Sequence, residues 1–323
     1  MIRSVIKIAD QLSIVPDLPQ AENDHQVLWL DVNAPTAEEI ARLHERFGFD
    51  AKPQSGSVVE DARYLYMRAR LIALDATGGP SFGTVTFVLG DHLVATICEQ
   101  LDFQPFTIAL QRCIRRPSHA ESPKAMLRVL LQVANDSADQ VIDSIADELE
   151  VSADEIVAIS DGFNEQGKEL GVVDLVATMR SLNEKEELIS RCLEAQLSLA
   201  RTVRYLSGEV DNRTEADLQS LVTELAGDVA GVKEHAAFEH EKVRYLQNGV
   251  TNILNIKQNQ IVKVFTIITA VFLPPTLVGT FYGMNFAVMP ELSWEHGFIY
   301  SMMLTLLAAI LPLLYIKKRG WLR

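Results

Sequence analysis

Cysteine is scarce in this chain. Cys98, Cys113 and Cys192 are the only three in 323 residues, far apart and without a C-x-x-C pair. That odd number and spacing disfavour a disulfide framework and a thiol-built metal site, and reduced thiols in a cytosolic domain are expected. Basic side chains are also in deficit, 29 Lys and Arg against 43 Asp and Glu, for a net charge of −14. Such a surface repels nucleic acid. There is no Gly-rich phosphate loop and no nucleophile motif, so no enzyme class has support. Met1–Leu12 lacks a sustained apolar run and carries Arg3, Lys7 and Asp10. A signal peptide is therefore not expected.

Charge is missing altogether from two long segments. Val264–Phe281 runs for 18 residues and Phe298–Ile316 for 19 without a charged side chain. About 20 mostly apolar residues cross a hydrocarbon core as a helix, so both are just long enough; two buried core helices are the alternative. Trp294 and Tyr300 lie near one end of the second segment, Tyr315 and Trp321 near the other, as interfacial aromatic belts would. Lys257 and Lys263 precede the first segment, and the basic run Lys317-Lys318-Arg319-Gly320-Trp321-Leu322-Arg323 follows the second. Between them stand Glu291 and Glu295 with no Lys or Arg. The positive-inside rule then places both termini in the cytoplasm and the connecting loop outside.

Charge is unevenly divided. Residues 257–323 hold six basic and two acidic side chains, while the remainder holds 23 basic and 41 acidic. An acidic body suits a cation-handling protein, and equally it suits plain solubility.

The first hundred residues read as mixed α/β. Val27–Val32 is a strand, and Thr36–Phe47 a helix with Thr36 and Glu39 spaced for a capping box. Tyr64–Leu74 is a strand ending at the turn signal Thr77-Gly78-Gly79-Pro80. Thr84–Leu89 and His92–Cys98 flank Gly90-Asp91 as a hairpin. From Pro123 the pattern is helical. Asp136, Asp139, Asp143, Asp147, Glu150 and Asp154 share one helix face, which is either a solvated surface or one that concentrates cations. Leu182–Leu206 is a further amphipathic helix that Ser207-Gly208 ends, with the next starting at Asp211–Thr214.

From about Thr214 no proline interrupts the chain until Pro274. Leu218, Leu221, Leu225, Val229, Val232, Ala236, Glu239, Val243, Leu246, Val250 and Ile253 recur at spacings of three and four, a heptad-like seam broken by Glu239. Gly227, Gly231 and Gly249 each weaken a helix by about 1 kcal/mol relative to Ala. A helix over Thr214–Phe281 would be about 100 Å long at roughly 1.5 Å per residue, and it needs partners, so an oligomer is expected. A second stripe joins Asn248, Asn252, Asn255 and Asn259 to Val262, Thr266, Thr269, Leu273, Thr276 and Thr280. Polar groups within a membrane are costly unless they face protein or water. This stripe therefore marks a water-filled pathway lined by copies of the helix, or a helix-packing face. On the first reading Val262 and Leu273 are apolar constrictions that gate by dewetting.

Between the spans lies Tyr282-Gly283-Met284-Asn285-Phe286, then Met289-Pro290-Glu291-Leu292 with Trp294. With Asn255-Ile256-Lys257-Gln258-Asn259-Gln260, Phe272-Leu273-Pro274-Pro275-Thr276-Leu277-Val278 and the basic tail with Trp321-Leu322, this resembles the CorA family of divalent-cation channels over Asn255–Leu322. The resemblance implies a membrane protein of six parts. Residues 1–122 form a cytoplasmic α/β domain and 123–213 acidic cytoplasmic helices. Residues 214–281 form a long stalk continuing into the first transmembrane helix, 282–297 an outer loop with the Gly-Met-Asn motif. Residues 298–316 are the second transmembrane helix and 317–323 a basic tail.

It further implies a homopentamer in lipid, in a bacterial inner membrane, whose first span lines the pore. Asn285 would present amide oxygens to a hydrated Mg²⁺ at the outer mouth, and Gly283 would allow the backbone turn at the helix end. Mg²⁺, with Co²⁺ or Ni²⁺ as further cargo, would be the transported and regulatory ion, and no other cofactor is implied. The regulatory carboxylates would come from Asp61 and Glu224, with Glu60 and Asp50 as further candidates and ordinary surface carboxylates as the alternative for each. A zinc transporter of the same superfamily is the alternative, from which Met284 points away. A membrane-anchored coiled-coil protein without transport is another, against which the Asn/Thr stripe argues.

Overall fold

The computed structural model describes residues 1–8, 11–51, 56–75, 77–99, 103–161, 172–211, 213–285 and 289–320. They form two units. One comprises Met1–Val157 with Ala177–Gln247, the other Ala158–Val176 with Asn248–Arg323.

The first unit is built on a seven-stranded sheet: β1 (Ile2–Ile8), β2 (Gln11–Pro16), β3 (Val27–Asn33), β4 (Val58–Glu60), β5 (Tyr64–Leu74), β6 (Pro80–Gly90) and β7 (Val94–Cys98). Their order is β2-β1-β3-β7-β6-β5-β4. Every neighbouring pair is antiparallel except β3 and β7. The expected strands over Val27–Val32 and Tyr64–Leu74 are there, and the β5–β6 hairpin turns at Asp75, whose Oδ1 accepts the backbone N–H groups of Thr77 and Gly79 at 2.8 and 3.0 Å. At the β6–β7 turn a Cβ on Gly90 would stand 2.5 Å from the Tyr64 ring, so only glycine leaves that ring its place.

Because side chains alternate across a strand, the sheet buries two faces. On one, Ile6, Leu30, Val32, Tyr66 and Val88 pack under α1 (Ala37–Phe47) through Leu43 and Phe47. Thr36 and Glu39 make the reciprocal capping box, at 3.2 and 2.8 Å. On the other, Trp29, Met67 and Phe87 meet Phe106 of α2 (Pro105–Arg115) and Leu127 and Leu130 of α3 (Pro123–Asp161). Trp29 donates to Thr96, Thr96 to Asp31, and Arg3 to Asp31, so these four side chains form one paired polar network. Burial raises the Asp31 carboxyl above its ordinary range, with the Arg3 guanidinium opposing that rise.

Two helices complete the chain's first unit in part: α4 (Val172–Glu209) and α5 (Ala216–Tyr282). Helix α4 starts ten residues before the expected Leu182 and runs through Ser207-Gly208, because buried Leu206 and Val210 hold that turn against the core. In α5 the seam is buried at Leu225, Val229, Val232, Ala236, Val243 and Leu246. Its start is one residue out of the expected phase. Val222 is fully buried and Leu221 is 41% exposed, so the inward position next to Leu218 is i+4 rather than i+3. The three glycines leave α5 unbroken.

The second unit carries the apolar end of α5 and α6 (Gly297–Lys318). Both are long and apolar enough to cross a membrane, and 0% and 6% of their apolar windows are buried. Core helices of a soluble protein would hide those faces.

Candidate ion pathway

The stripe from Asn255 to Thr280 advances 25 residues in steps of four and three. At 3.6 residues per turn that is about 6.9 turns, and the eight positions stay within roughly 50° of one line along the helix. Asn255, Asn259, Val262, Thr266, Thr269, Leu273, Thr276 and Thr280 are all exposed along it. Each of its four threonine hydroxyls donates to a backbone carbonyl one turn back: Thr266 to Val262 at 2.8 Å, Thr269 to Phe265 at 2.9 Å, Thr276 to Phe272 at 2.7 Å and Thr280 to Thr276 at 2.8 Å. Four polar side chains are thereby held on the segment Val264–Phe281, whose other residues are apolar. Val262 and Leu273, 56% and 64% exposed, interrupt the stripe as apolar rungs.

Pro274 and Pro275 lie inside α5. Neither has a backbone N–H, so the carbonyls of Ala270 and Val271 lose their intrahelical donors. Within hydrocarbon such carbonyls need a neighbouring chain or water.

The helix closes at Tyr282. Gly283 N–H bonds the carbonyls of Gly279 and Thr280 at 3.0 and 3.2 Å, and Met284 N–H that of Phe281 at 3.3 Å. The chain turns at Gly283 without a left-handed backbone, and a Cβ there would stand 3.3 Å from the Gly279 carbonyl oxygen, a tight approach. Asn285 follows, exposed and beyond the helix end, with exposed Met284 beside it. Phe286 and the Glu291 side chain lie outside the described residues. Further on, the Trp294 ring contacts those of Tyr300 and His296 at 5.7 and 6.3 Å, an aromatic cluster at the start of α6. At the other end of α6 the Arg319 guanidinium stacks over Tyr315; Trp321–Arg323 lie outside the described residues.

Of the acidic residues singled out for regulation, Asp61 has local duties. Asp61 Oδ1 accepts the backbone N–H groups of Arg63 and Tyr64, each at 2.7 Å, and Oδ2 accepts the Tyr66 hydroxyl at 3.0 Å. The Arg63 N–H in particular holds its carboxyl below the ordinary range. A carboxylate has about four acceptor positions, so room for a further donor or a cation remains. The Tyr66 hydroxyl also accepts the Asp50 N–H at 3.0 Å. Glu60 is exposed at the end of β4, and Glu224 is exposed on α5.

Set against known proteins, residues 24–318 match the model of a family described as CorA-like Mg²⁺ transporter protein. The magnesium transport protein CorA of Haemophilus ducreyi is 26% identical over 319 residues, 96% of each chain. Among solved structures, the complete CorA magnesium transporter from Methanocaldococcus jannaschii is similar over 99% of this chain and 98% of that one, with a TM-score of 0.77 at 17% identity. The ZntB cytoplasmic domain from Vibrio parahaemolyticus covers 77% of this chain and 96% of its own, with a TM-score of 0.51 at 11% identity. At such identities the solved structures speak for the fold.

Proposed function

The chain belongs to the CorA-like Mg²⁺ transporter family, and from that premise we propose that it forms a channel for hydrated Mg²⁺ in a bacterial inner membrane. Five copies would surround the pathway, with both termini in the cytoplasm. The observation that carries this reading is the stripe of exposed Asn and Thr side chains that runs into the apolar end of α5, whose apolar window has none of its residues buried. A packing face would serve for a stripe of small residues, but the asparagines and the side-by-side threonine oxygens suit water. Asn255, Asn259, Thr266, Thr269, Thr276 and Thr280 would line the pore, and Val262 and Leu273 would narrow it. Mg²⁺ dehydrates reluctantly, so neutral oxygens at Asn285 would hold the ion through its water shell without trapping it. Gly283 and Met284 set the position of that amide, and Tyr282 ends the helix beneath it. Glu291, in the outer loop, would add negative charge near the mouth.

Flux into liposomes loaded with an ion-sensitive dye tests the proposal. Mg²⁺ entry is expected to exceed Zn²⁺ entry, with Co²⁺ and Ni²⁺ competing. Zn²⁺ entry well above that of Mg²⁺ would favour the zinc alternative, and no flux of any of these ions would overturn the channel.

Regulation follows from charge. Exposed carboxylates on neighbouring subunits repel, and bound Mg²⁺ would offset that repulsion and hold the closed form, a shift set by differential binding. Asp61 and Glu224 are the proposed ligands. Millimolar Mg²⁺ is therefore expected to protect the cytoplasmic part of the chain from limited proteolysis. Identical digestion with and without Mg²⁺ would remove the mechanism. A wild-type response from Asp61→Ala with Glu224→Ala would remove only those two residues.

A further inference from the structure

The fold draws together a different set of side chains from those expected for regulation. On α3, Asp139 and Asp143 stand one turn apart on the same face. His235 meets them from α5, with Nδ1 3.4 Å from Asp139 Oδ1 and 3.9 Å from Asp143 Oδ1. One ligand atom from each of the three lies within 4.8 Å of the others. The two helices run side by side in the same direction here, since Lys124 pairs with Glu215 at their earlier ends.

We propose that Asp139, Asp143 and His235 form a site for a borderline divalent transition metal, of the class of Zn²⁺, Co²⁺ and Ni²⁺, that ties α3 to α5 within one subunit. The spacing fits. A tetrahedral ion with bonds of about 2.0–2.1 Å holds its ligands about 3.3 Å apart. The His235–Asp139 separation is at that value and the His235–Asp143 separation needs only a small side-chain rotation. As a hydrogen bond, 3.4 Å is longer than the usual range of about 2.7–3.2 Å. One imidazole with two carboxylates suits these metals, whereas Mg²⁺ favours six oxygens in an octahedron. The His235, Asp139 and Asp143 side chains are 34%, 45% and 64% exposed, which leaves a side open for water to complete the coordination.

A second observation comes from the same two faces. Asn135 precedes Asp139 by one turn on α3, and Glu239 follows His235 by one turn on α5. Each is 3% exposed. Asn135 Oδ1 and Glu239 Oε2 accept no hydrogen bond among the described residues, and Lys242 Nζ stands 3.4 Å from the latter. Buried oxygens without donors are costly. A cation and its bound water one turn away would supply both field and donors.

The test is a titration of tag-free, full-length protein in detergent with Co²⁺, followed by visible absorption. One site per chain is expected, with the intense bands of a low-coordinate ion. Zn²⁺ should displace it and millimolar Mg²⁺ should not. Replacing a ligand, by His235→Ala or Asp143→Asn, should weaken binding by about tenfold or more. Both side chains are partly exposed, so the variants are expected to fold, and an unchanged elution volume checks this. Equal titration of the wild type and both variants, no bands, or displacement by Mg²⁺ would overturn the site and leave a hydrogen-bonded His–Asp pair. The readout is binding rather than flux, so it stands or falls separately from the channel reading.

Discussion

Asn285→Ala is expected to abolish Mg²⁺ entry into proteoliposomes while the assembly elutes unchanged. Asn285 lies beyond the last turn of α5, exposed, where no core packing depends on it. The substitution therefore removes an oxygen rather than a fold. A hydrogen bond to a charged partner contributes about 1.5–3 kcal/mol, and about 1.4 kcal/mol is tenfold in binding. In the proposed assembly the loss would be repeated in every subunit around the mouth, so the expected effect is much larger than tenfold. Asn285→Asp separates two roles of the side chain. It keeps an oxygen and adds charge, and is expected to bind the ion more tightly and pass it more slowly. Normal entry through a correctly assembled Asn285→Ala channel would remove the selectivity role.

Leu273→Asn and Val262→Asn are expected to act in the opposite direction, raising Mg²⁺ entry several-fold at millimolar Mg²⁺, where the wild type should be largely closed. The two rungs stand eleven residues apart on the stripe, both exposed. A ring of apolar side chains sheds water, and a ring of amides holds it. Leu273 should have the larger effect. It stands next to Pro274, beside the carbonyls that have lost their donors, so a wetted ring there joins water already needed by the backbone. Unchanged closure in both variants would place the gate elsewhere.

How much of this was legible before the fold differs by element, for physical reasons. Tyr64–Leu74 reads to the residue because the Thr77-Gly78-Gly79-Pro80 turn ends it and its apolar side chains face two cores. The helix α1 reads from its capping box. The strands β1 and β2 do not. Arg3, Ser4 and Lys7 interrupt the apolar pattern of Ile2–Ile8, and only the pairing of Arg3 with Asp31 and of Ser4 with the Asp17 carbonyl makes the buried polar positions tolerable. Helix α2 was equally silent, since its apolar face is recognisable only once Phe106 is seen beneath Trp29 and Phe87. In α5 periodicity gives the face but not the starting phase, since Leu221 and Val222 are adjacent and both apolar. The outer motif and the stripe were legible in full as sequence. The Asp139–Asp143–His235 group was only half so: the acidic face of α3 stands out, but the histidine lies 92 residues beyond Asp143 and the pairing of helices alone connects them.

The threonine hydroxyls along α5 have already given their hydrogens to the backbone. What they would offer an ion in the proposed pathway is therefore an oxygen with its lone pairs and nothing to donate. Water around a cation turns its hydrogens outward and meets such oxygens well. Water around chloride turns its hydrogens inward and finds no hydroxyl partner for its own oxygens. Over this stretch the wall of the proposed pathway would discriminate between signs of charge without carrying any charge, through the orientation of hydration water alone.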